Sequence, residues 1–271
     1  MKNYYLYIIF IFIGIIIPVK GFCLDITVGA STWYAWGSRF ENVQDYSIRK
    51  NNEYAFDPTF FYGPVISVKL SDDFNITFVY LYTKFDYTED VYKDYGGIYS
   101  VKSRIRRSDS DLALNYRLTD YFKVFAGIKY LGYEVKSSYD DIQSETHSCQ
   151  SKHNSFGPGL GLSATYPITN NIFLLGTLSG FYLFSTGEDF KDNLLYDADR
   201  PASMNIGYNE YGINTNISAA YYIAPISTVI SLGFRYQYFI TDYSDYDPFY
   251  INDIKNQIYG ITLTATYTFS L

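Results

Sequence analysis

Apolar and polar residues alternate with a period of two along most of the chain after residue 24. The C-terminal segment shows this most clearly, because apolar residues from Tyr259 to Leu271 alternate with glycine and hydroxyl residues such as Thr262 and Thr264. Successive side chains of a strand point to opposite faces, so the pattern predicts a strand with one apolar and one polar side. No segment after residue 24 has the 3.6-residue spacing of an amphipathic helix.

Ten segments share this alternation and predict ten strands. Their apolar faces span residues 26–36, 60–70, 74–82, 112–118, 122–130, 156–166, 172–184, 211–221, 230–240 and 259–271. The connections alternate in length: short turns are expected at 71–73, 119–120, 169–171 and 224–227, and long loops at 37–57, 88–102, 140–154, 186–202 and 244–256. Ten strands joined in this way predict an all-β, antiparallel, up-and-down barrel with both termini at the short-turn end.

Residues 1–23 have the pattern of a cleaved signal peptide, which leaves residues 24–271 as the barrel domain. Lys2 precedes an apolar stretch at 6–17, and the small residues Gly21 and Cys23 offer alternative cleavage sites. Twelve apolar residues are too few for a membrane-spanning helix, which needs about 20.

Composition removes several classes of protein. The mean hydropathy of −0.10 excludes a polytopic helical membrane protein, and the net charge of −7 argues against a nucleic-acid partner. The two cysteines, Cys23 and Cys149, cannot form a disulfide framework, and we expect Cys149 to be an unpaired loop residue. No Cys/His set has metal-ligand spacing, so we expect no metal and no cofactor.

A soluble lipocalin-type barrel would show the same alternation with its apolar face turned inward. The aromatic residues favour a membrane barrel, because pairs such as Tyr34 with Trp36 and Tyr267 with Phe269 lie at the ends of the apolar faces. Aromatic girdles occupy these positions in membrane barrels. The opposite faces carry Gly, Ser, Thr, Asn and some charged residues, which predicts a wet lumen.

The signal peptide, the meander and the terminal Tyr267-Thr268-Phe269-Ser270-Leu271 resemble single-chain bacterial outer-membrane β-barrels. The resemblance covers nearly the whole mature chain and implies no particular subfamily. It implies a monomer that contacts the lipid bilayer and lipopolysaccharide, and whose last strand, from Tyr259 to Leu271, is recognised by the barrel-assembly machinery. The chain departs from the family at Leu271, where Phe or Trp is more usual.

Charged residues on the inward faces form the first candidate site. A barrel of ten strands is far narrower than open porins of 16 to 18 strands, so inward charges must pair. The expected turns place Asp111 opposite Lys129 and Asn216 opposite Arg235. The candidate lumen network consists of Arg107, Asp109, Asp111, Arg117, Lys123, Lys129, Glu210 and Arg235. It is interpreted first as structural and second as a filter for ions or very small solutes.

An enzymatic role finds little support in the sequence. The omptin proteases of the outer membrane use a pair of Asp residues facing an Asp–His pair. Asp109 and Asp111 offer an Asp pair, but neither His147 nor His153 has an Asp two residues before it. His147 and Ser148 are adjacent, so in a strand they would point to opposite faces and could not act as base and nucleophile. We therefore expect a non-enzymatic protein, with an omptin-like or lipid-modifying enzyme as the least favoured alternative.

The second candidate site lies in two expected loops that are rich in tyrosine and carboxylates. Its residues are Asp86, Tyr87, Glu89, Asp90, Tyr92, Asp245, Tyr246 and Asp247. Such loops are either simply solvated or carry recognition. The expected function is therefore a structural or porin-like surface protein, with an adhesin or receptor as the alternative.

Overall fold

A computed structural model describes residues 24–45, 48–92, 98–140, 146–191, 203–242 and 254–271; side chains are described for 24–38, 57–86, 88, 102–138, 150–188, 207–242 and 254–271. Ten strands follow one another: β1 (Asp25–Asp45), β2 (Ile48–Lys69), β3 (Phe74–Tyr92), β4 (Ile98–Arg117), β5 (Phe122–Asp140), β6 (Thr146–Pro167), β7 (Ile172–Lys191), β8 (Ser203–Ile223), β9 (Thr228–Asp242) and β10 (Ile254–Ser270). Within the described part of the chain, no helix is long and apolar enough to cross a membrane.

The strands form a closed barrel in which each strand pairs antiparallel with its sequence neighbours. The first and last strands close it, with partners running from Asp25 and Ser270 to Glu41 and Ile254. Closure leaves no sheet edge, as a spanning sheet in lipid requires. The predicted ten-stranded, antiparallel, up-and-down barrel is thus confirmed.

The apolar faces of the strands point outward. Phe234 is 51% exposed and Ile261 48% exposed, whereas their polar neighbours Arg235 and Thr262 are each 8% exposed. All ten strands contribute exposed large apolar residues to this outer belt, among them Leu160 and Ile217, each 67% exposed. Exposed apolar surface on this scale requires a lipid surrounding.

Three of the four short turns use the same hydrogen bonds. The hydroxyl oxygens of Ser71, Thr119 and Thr169 each accept N–H groups from the residues two and three positions later, at 3.0–3.3 Å. Such side-chain contacts stabilise tight turns. The fourth turn is a short 3₁₀ helix at Ala224–Ile226, which ends at Ser227 in the left-handed region with a φ of 45°.

The long loops expected at 37–57, 88–102 and 140–154 are wrong for most of their length, while most of those expected at 186–202 and 244–256 lies outside the described residues. Strand β2 alone has 22 residues, and β3 and β4 remain paired up to Tyr92 and Ile98. Cys149 likewise belongs to β6. Polar composition suggested loops, but polar residues can still pair their backbones in water, so the barrel continues beyond the apolar belt.

Some expectations fall outside the described residues. These are the signal peptide at residues 1–23 and the candidate loop residues Asp245, Tyr246 and Asp247.

Candidate functional site

The lumen contains a buried ion-pair network centred on Asp109. Its Oδ1 lies 2.5 Å from Nζ of Lys129, and its Oδ2 lies 3.6 Å from Arg107 and 3.5 Å from Arg235. Lys129 also binds Asp111, its directly paired neighbour on the adjacent strand β4, at 3.0 Å. Asp109 is 2% exposed, so its charge depends on these partners because water cannot reach it.

Arg107 crosses the lumen to reach the opposite wall. It donates a hydrogen bond of 2.6 Å from Nη2 to Oε1 of Gln237. Arg107 belongs to β4 and Gln237 to β9, which stand five positions apart in a ring of ten and are therefore diametrically opposed. The guanidinium also lies 5.7, 5.2 and 5.3 Å from the ring centres of Phe61, Tyr133 and Phe239, within the range of cation–π attraction.

Two further cations of the network rest on aromatic rings. The guanidinium of Arg235 lies 4.6 Å from the ring centre of Trp33 and donates from Nε to Asn214 at 2.9 Å. The ammonium of Lys129 lies 5.6 Å from the ring centre of Phe181. Aromatic faces thus stabilise charges that have lost most of their hydration.

Large apolar side chains surround this network on the inside of the barrel. The buried residues that close this level, here called the lumen plug, are each at most 2% exposed: Trp33, Phe61, Arg107, Asp109, Leu131, Leu183, Gln237 and Phe239. Trp33 and Phe61 stack with 4.7 Å between ring centres. The expectation of a polar, wet lumen is therefore wrong at this level. Period-two alternation identified the inward face correctly, but the inward residues become apolar at the plug.

Below the plug, toward the short turns, the lumen is polar and partly exposed. Hydroxyl pairs line it at Thr27 with Thr268 and at Ser31 with Thr264, both at 2.8 Å. A cavity of about 280 Å³ opens at this end and includes the turn residues Ser71 to Asp73. We call this space the lower vestibule; the plug separates it from the rest of the lumen.

Three of the predicted lumen charges lie outside the network. Arg117 and Lys123 line the mouth of the lower vestibule, where Arg117 is bound to Asp73 at 3.4 Å. Glu210 is buried at 2% exposure and accepts a hydrogen bond of 3.2 Å from Thr241. The structure therefore unites Arg107, Asp109, Asp111, Lys129 and Arg235, and it separates these three from them.

The inward glycines of β6 make room for an aromatic side chain of the adjacent strand. Gly161 pairs directly with Phe125, and a Cβ at Gly161 would overlap the Phe125 ring. The missing side chain at Gly161 therefore leaves the space that Phe125 occupies.

The two histidines show no catalytic arrangement in the described residues. His153 is half-buried, and its ring lies 5.7 Å from that of Tyr208. His147 belongs to β6, and its side chain is not among those described. No cluster of three His, Cys, Asp or Glu side chains in the described part of the chain could hold a metal ion.

Outward-facing charges follow directly above the aromatic girdle, at the end of the barrel away from the short turns. Asp86 binds Arg104 at 2.7 Å, and Glu134 binds Arg106 at 3.0 Å. Burial would raise the pKa of Glu134, but the hydrogen bond and charge of Arg106, with the charge of Lys136, outweigh it and lower the pKa.

Four other residues of the candidate site predicted in the tyrosine- and carboxylate-rich loops lie in strand β3. Tyr87, Glu89, Asp90 and Tyr92 belong to this strand, and not to a loop, and their side chains lie outside the described part.

Comparison with solved structures shows which known proteins share this fold. The outer-membrane protease OmpT of Escherichia coli has a TM-score of 0.62 at 15% identity, with 93% of this chain and all of that chain covered. At this identity the likeness shows the fold alone. The chain folds as a bacterial outer-membrane β-barrel. With its apolar belt, this barrel is placed in the outer membrane, and its long-strand end faces outward.

Two other solved outer-membrane proteins cover similar shares of the barrel but superpose too poorly to support an argument. Ail of Yersinia pestis has a TM-score of 0.38 at 10% identity, covering 90% of this chain and 99% of its own. A major outer membrane protein of Thermus thermophilus has a TM-score of 0.36 at 14% identity, covering 89% and 99%. No protein-family model matches this barrel, and no curated protein matches it in sequence.

Proposed function

We propose that this protein is a closed, non-conducting outer-membrane barrel with a non-enzymatic role at the cell surface. The observation that carries the proposal is the hydrogen bond between Arg107 and Gln237, which joins opposite walls of the lumen. An ion would have to separate these side chains and pass between buried aromatic rings. The first step would leave the buried charge of Arg107 without its hydrogen-bond partner, and the second would bring the ion into an apolar surrounding. Both are costly in free energy.

The charge network has a structural role in this proposal. Asp109 neutralises cations from three different strands, β4, β5 and β9. It therefore ties opposite walls of the barrel together and fixes their distance. A filter for ions would need its charged groups to face an open path, whereas Asp109 and Lys129 are 2% and 3% exposed.

The length of the strands supports a role at the surface. A membrane-spanning strand needs about 9–11 residues, while β1 and β2 have 21 and 22. About half of each strand therefore extends beyond the bilayer, and a transport role does not require such an extension. It offers a rigid surface for binding, which also favours an adhesin or receptor as the second candidate.

A protease of the omptin type is disfavoured by the surroundings of the only inward Asp-x-Asp pair described. The carboxylate of Asp109 is enclosed by Lys129, Arg107 and Arg235 and faces no open cleft. A peptide bond could not approach it without removal of the plug.

Planar-bilayer recording of the refolded protein tests the proposal. We expect no discrete conductance steps over many insertions, with an open porin as the positive control for insertion. Regular unitary currents from the wild-type barrel would refute it.

The surface role is tested by shortening the β3–β4 hairpin. Thr88 pairs with Lys102, so replacing residues 89–101 by Asn-Gly joins two paired positions with a short turn. We expect the shortened barrel to fold and to give no conductance in planar bilayers. If the protein is an adhesin, the shortened barrel should lose binding to cells or matrix. Retained binding would exclude this hairpin as the adhesive surface.

A further inference from the structure

One ladder of the barrel stops well before its strands end. Strands β2 and β3 are paired only as far up as Tyr62 and Tyr82. Strand β3 nevertheless continues to Tyr92 and stays paired with β4, while β2 stays paired with β1. Above this level no ladder joins β2 to β3 in the described part of the chain. We call the two facing edges, residues 51–58 of β2 and 85–92 of β3, the open seam.

A bulge and a proline explain why β2 separates from β3. The register of β1 with β2 shifts between Ala35 and Gly37, and the extra residue lies on β2. A bulge bends the strand that carries the extra residue. Pro58 lies at the same place and has no N–H group for a ladder. Strand β2 therefore follows β1 away from β3.

Alternate residues of β3 direct their backbone groups into the open seam. The hydroxyl of Thr59 on β2 donates a hydrogen bond of 2.9 Å to the carbonyl of Lys84, so this carbonyl points toward β2. The β3–β4 register continues without a shift above Lys84. The N–H and C=O groups of Asp86, Thr88 and Asp90 therefore point the same way, because backbone direction alternates along a strand. No ladder within the described residues uses these groups.

The β3 edge lacks the features that protect an exposed edge from pairing with another chain. Natural edges are protected by proline, lysine, bulges or very short length. Residues 85–92 contain no proline, glycine or lysine and no bulge, and they are rich in aromatic and β-branched residues. The side chains of Asp57, Pro58, Asp86 and Thr88 are exposed. The seam is therefore open to solvent at its lower end.

Charge along the open seam indicates which strand it would accept. Residues 51–58 contain two carboxylates and no cation, and residues 85–92 contain three carboxylates and no cation. Lys102 and Arg104 lie one strand further away, on β4, where Arg104 already binds Asp86. Opposite charges on neighbouring strands are stabilising and like charges are destabilising. A strand with lysine or arginine side chains therefore fits the seam better than an acidic one.

We propose that the open seam binds an extended, cationic segment of a partner polypeptide, which pairs with the edge of β3 as an added strand. Main-chain hydrogen bonds supply the affinity in this mode of recognition, and the side chains supply the selectivity. The binding rests on the proposed role at the cell surface and gives that role a class of partner and a place on the barrel.

Fluorescence anisotropy with the full barrel in a neutral detergent tests this binding. The probe is a labelled peptide of alternating valine and lysine, about eight residues long, which is within the range of ordinary strands. Two matched peptides are compared with it. One has glutamate in place of lysine, and the other keeps its lysines but is methylated at every backbone nitrogen.

We expect the lysine peptide to bind and each matched peptide to bind at least about tenfold more weakly. The N-methylated peptide loses several hydrogen-bond donors, each of which contributes a few-fold or more to affinity. The glutamate peptide keeps its donors but places like charges beside the carboxylates of the seam.

Two barrel variants locate the site. Thr88→Pro removes an N–H group that points into the seam and leaves the β3–β4 hydrogen bonds intact, whereas the control, Thr88→Val, keeps the N–H group. We expect Thr88→Pro to weaken binding of the lysine peptide about tenfold and Thr88→Val to change it by less than about twofold. Thermal melting in detergent checks that both variants fold. If Thr88→Pro does not fold, the N-methylated peptide decides the matter on the wild-type barrel.

Three results would overturn the proposal. One is the absence of binding of the lysine peptide to the wild-type barrel. Another is equal affinity for the lysine peptide and its N-methylated form, which would indicate attraction by charge without strand pairing. The third is equal affinity of the folded Thr88→Pro and Thr88→Val barrels for the lysine peptide. Unitary currents from the wild-type barrel would refute the closed lumen but would leave these affinities unchanged, so the two proposals fail separately.

Discussion

Arg107 and Gln237 stand on opposite walls of the barrel and meet in its centre, with 2.6 Å between Nη2 and Oε1. A small barrel can be filled by its own side chains, and here two long polar side chains bridge the full width. Aromatic rings close the space around them. The bridge therefore explains how a chain with polar inward faces can be sealed.

The plug should be removable by substitution. We expect Trp33→Ala combined with Phe61→Ala to give unitary currents in planar bilayers, because the two stacked rings fill the lumen beside Arg107. The matched control is Phe60→Ala, whose side chain faces lipid and is 58% exposed. If the double variant does not fold, Phe61→Ala alone serves. Currents from the Phe60→Ala barrel, or none from a folded plug variant, would contradict this role.

Asp109 should be the most sensitive charge of the barrel. Asp109→Asn leaves Arg107, Lys129 and Arg235 without their shared carboxylate, and breaking a buried ion pair costs about 3–5 kcal/mol. Denaturant unfolding of the folded barrel in detergent measures this loss.

Asp86→Asn is the control for that experiment. The Asp86–Arg104 pair is exposed on both sides, and such pairs contribute less than about 1 kcal/mol. An equal loss of unfolding free energy in the two variants would show that the buried lumen network stabilises the barrel no more than an exposed ion pair does.

The fold could be predicted from the alternation of apolar and polar residues, because lipid contact imposes that period on every strand. Pairing could be predicted where a tight turn fixed it, and Asp111 does lie opposite Lys129. The plug could not be predicted in this way. Alternation shows whether a residue faces the lumen or the lipid, but not at which level along the barrel axis it lies. Trp33 shares an inward face with Ser31, and only the register of β1 with β2 shows that Phe61 lies directly opposite it.

The residues at which the strands end could not be predicted from the sequence pattern either. Residues such as Asp86 and Glu89 were assigned to a solvated loop, yet they belong to β3, which remains paired with β4 up to Tyr92 and Ile98. Outside the bilayer both faces of a strand can be polar, so the period-two signal fades while the backbone hydrogen bonds continue.

Glu134 provides a pH-dependent test of the outer charges. Its pKa lies below the ordinary value of 4.5, so its contribution to stability is present above that value and is lost as the pH falls through the folded pKa. We expect carbon-detected NMR of the Glu134 carboxyl to give a midpoint below 4.5, and Arg106→Gln to raise it. An unchanged midpoint in the Arg106→Gln variant would exclude Arg106 as the cause of the lowered pKa of Glu134.

Cysteine accessibility tests the sealed lumen most directly. In a barrel with Cys23 and Cys149 replaced by Ser, Ser31→Cys places a thiol on the polar lumen wall below the plug, and Ser155→Cys places one beside the plug residue Leu131. Both changes are nearly isosteric, and Ser155 is fully buried. We expect a water-soluble maleimide to label the thiol of Ser31→Cys rapidly and that of Ser155→Cys only after unfolding. Similar labelling rates at the two positions in the folded barrel would contradict a closed lumen.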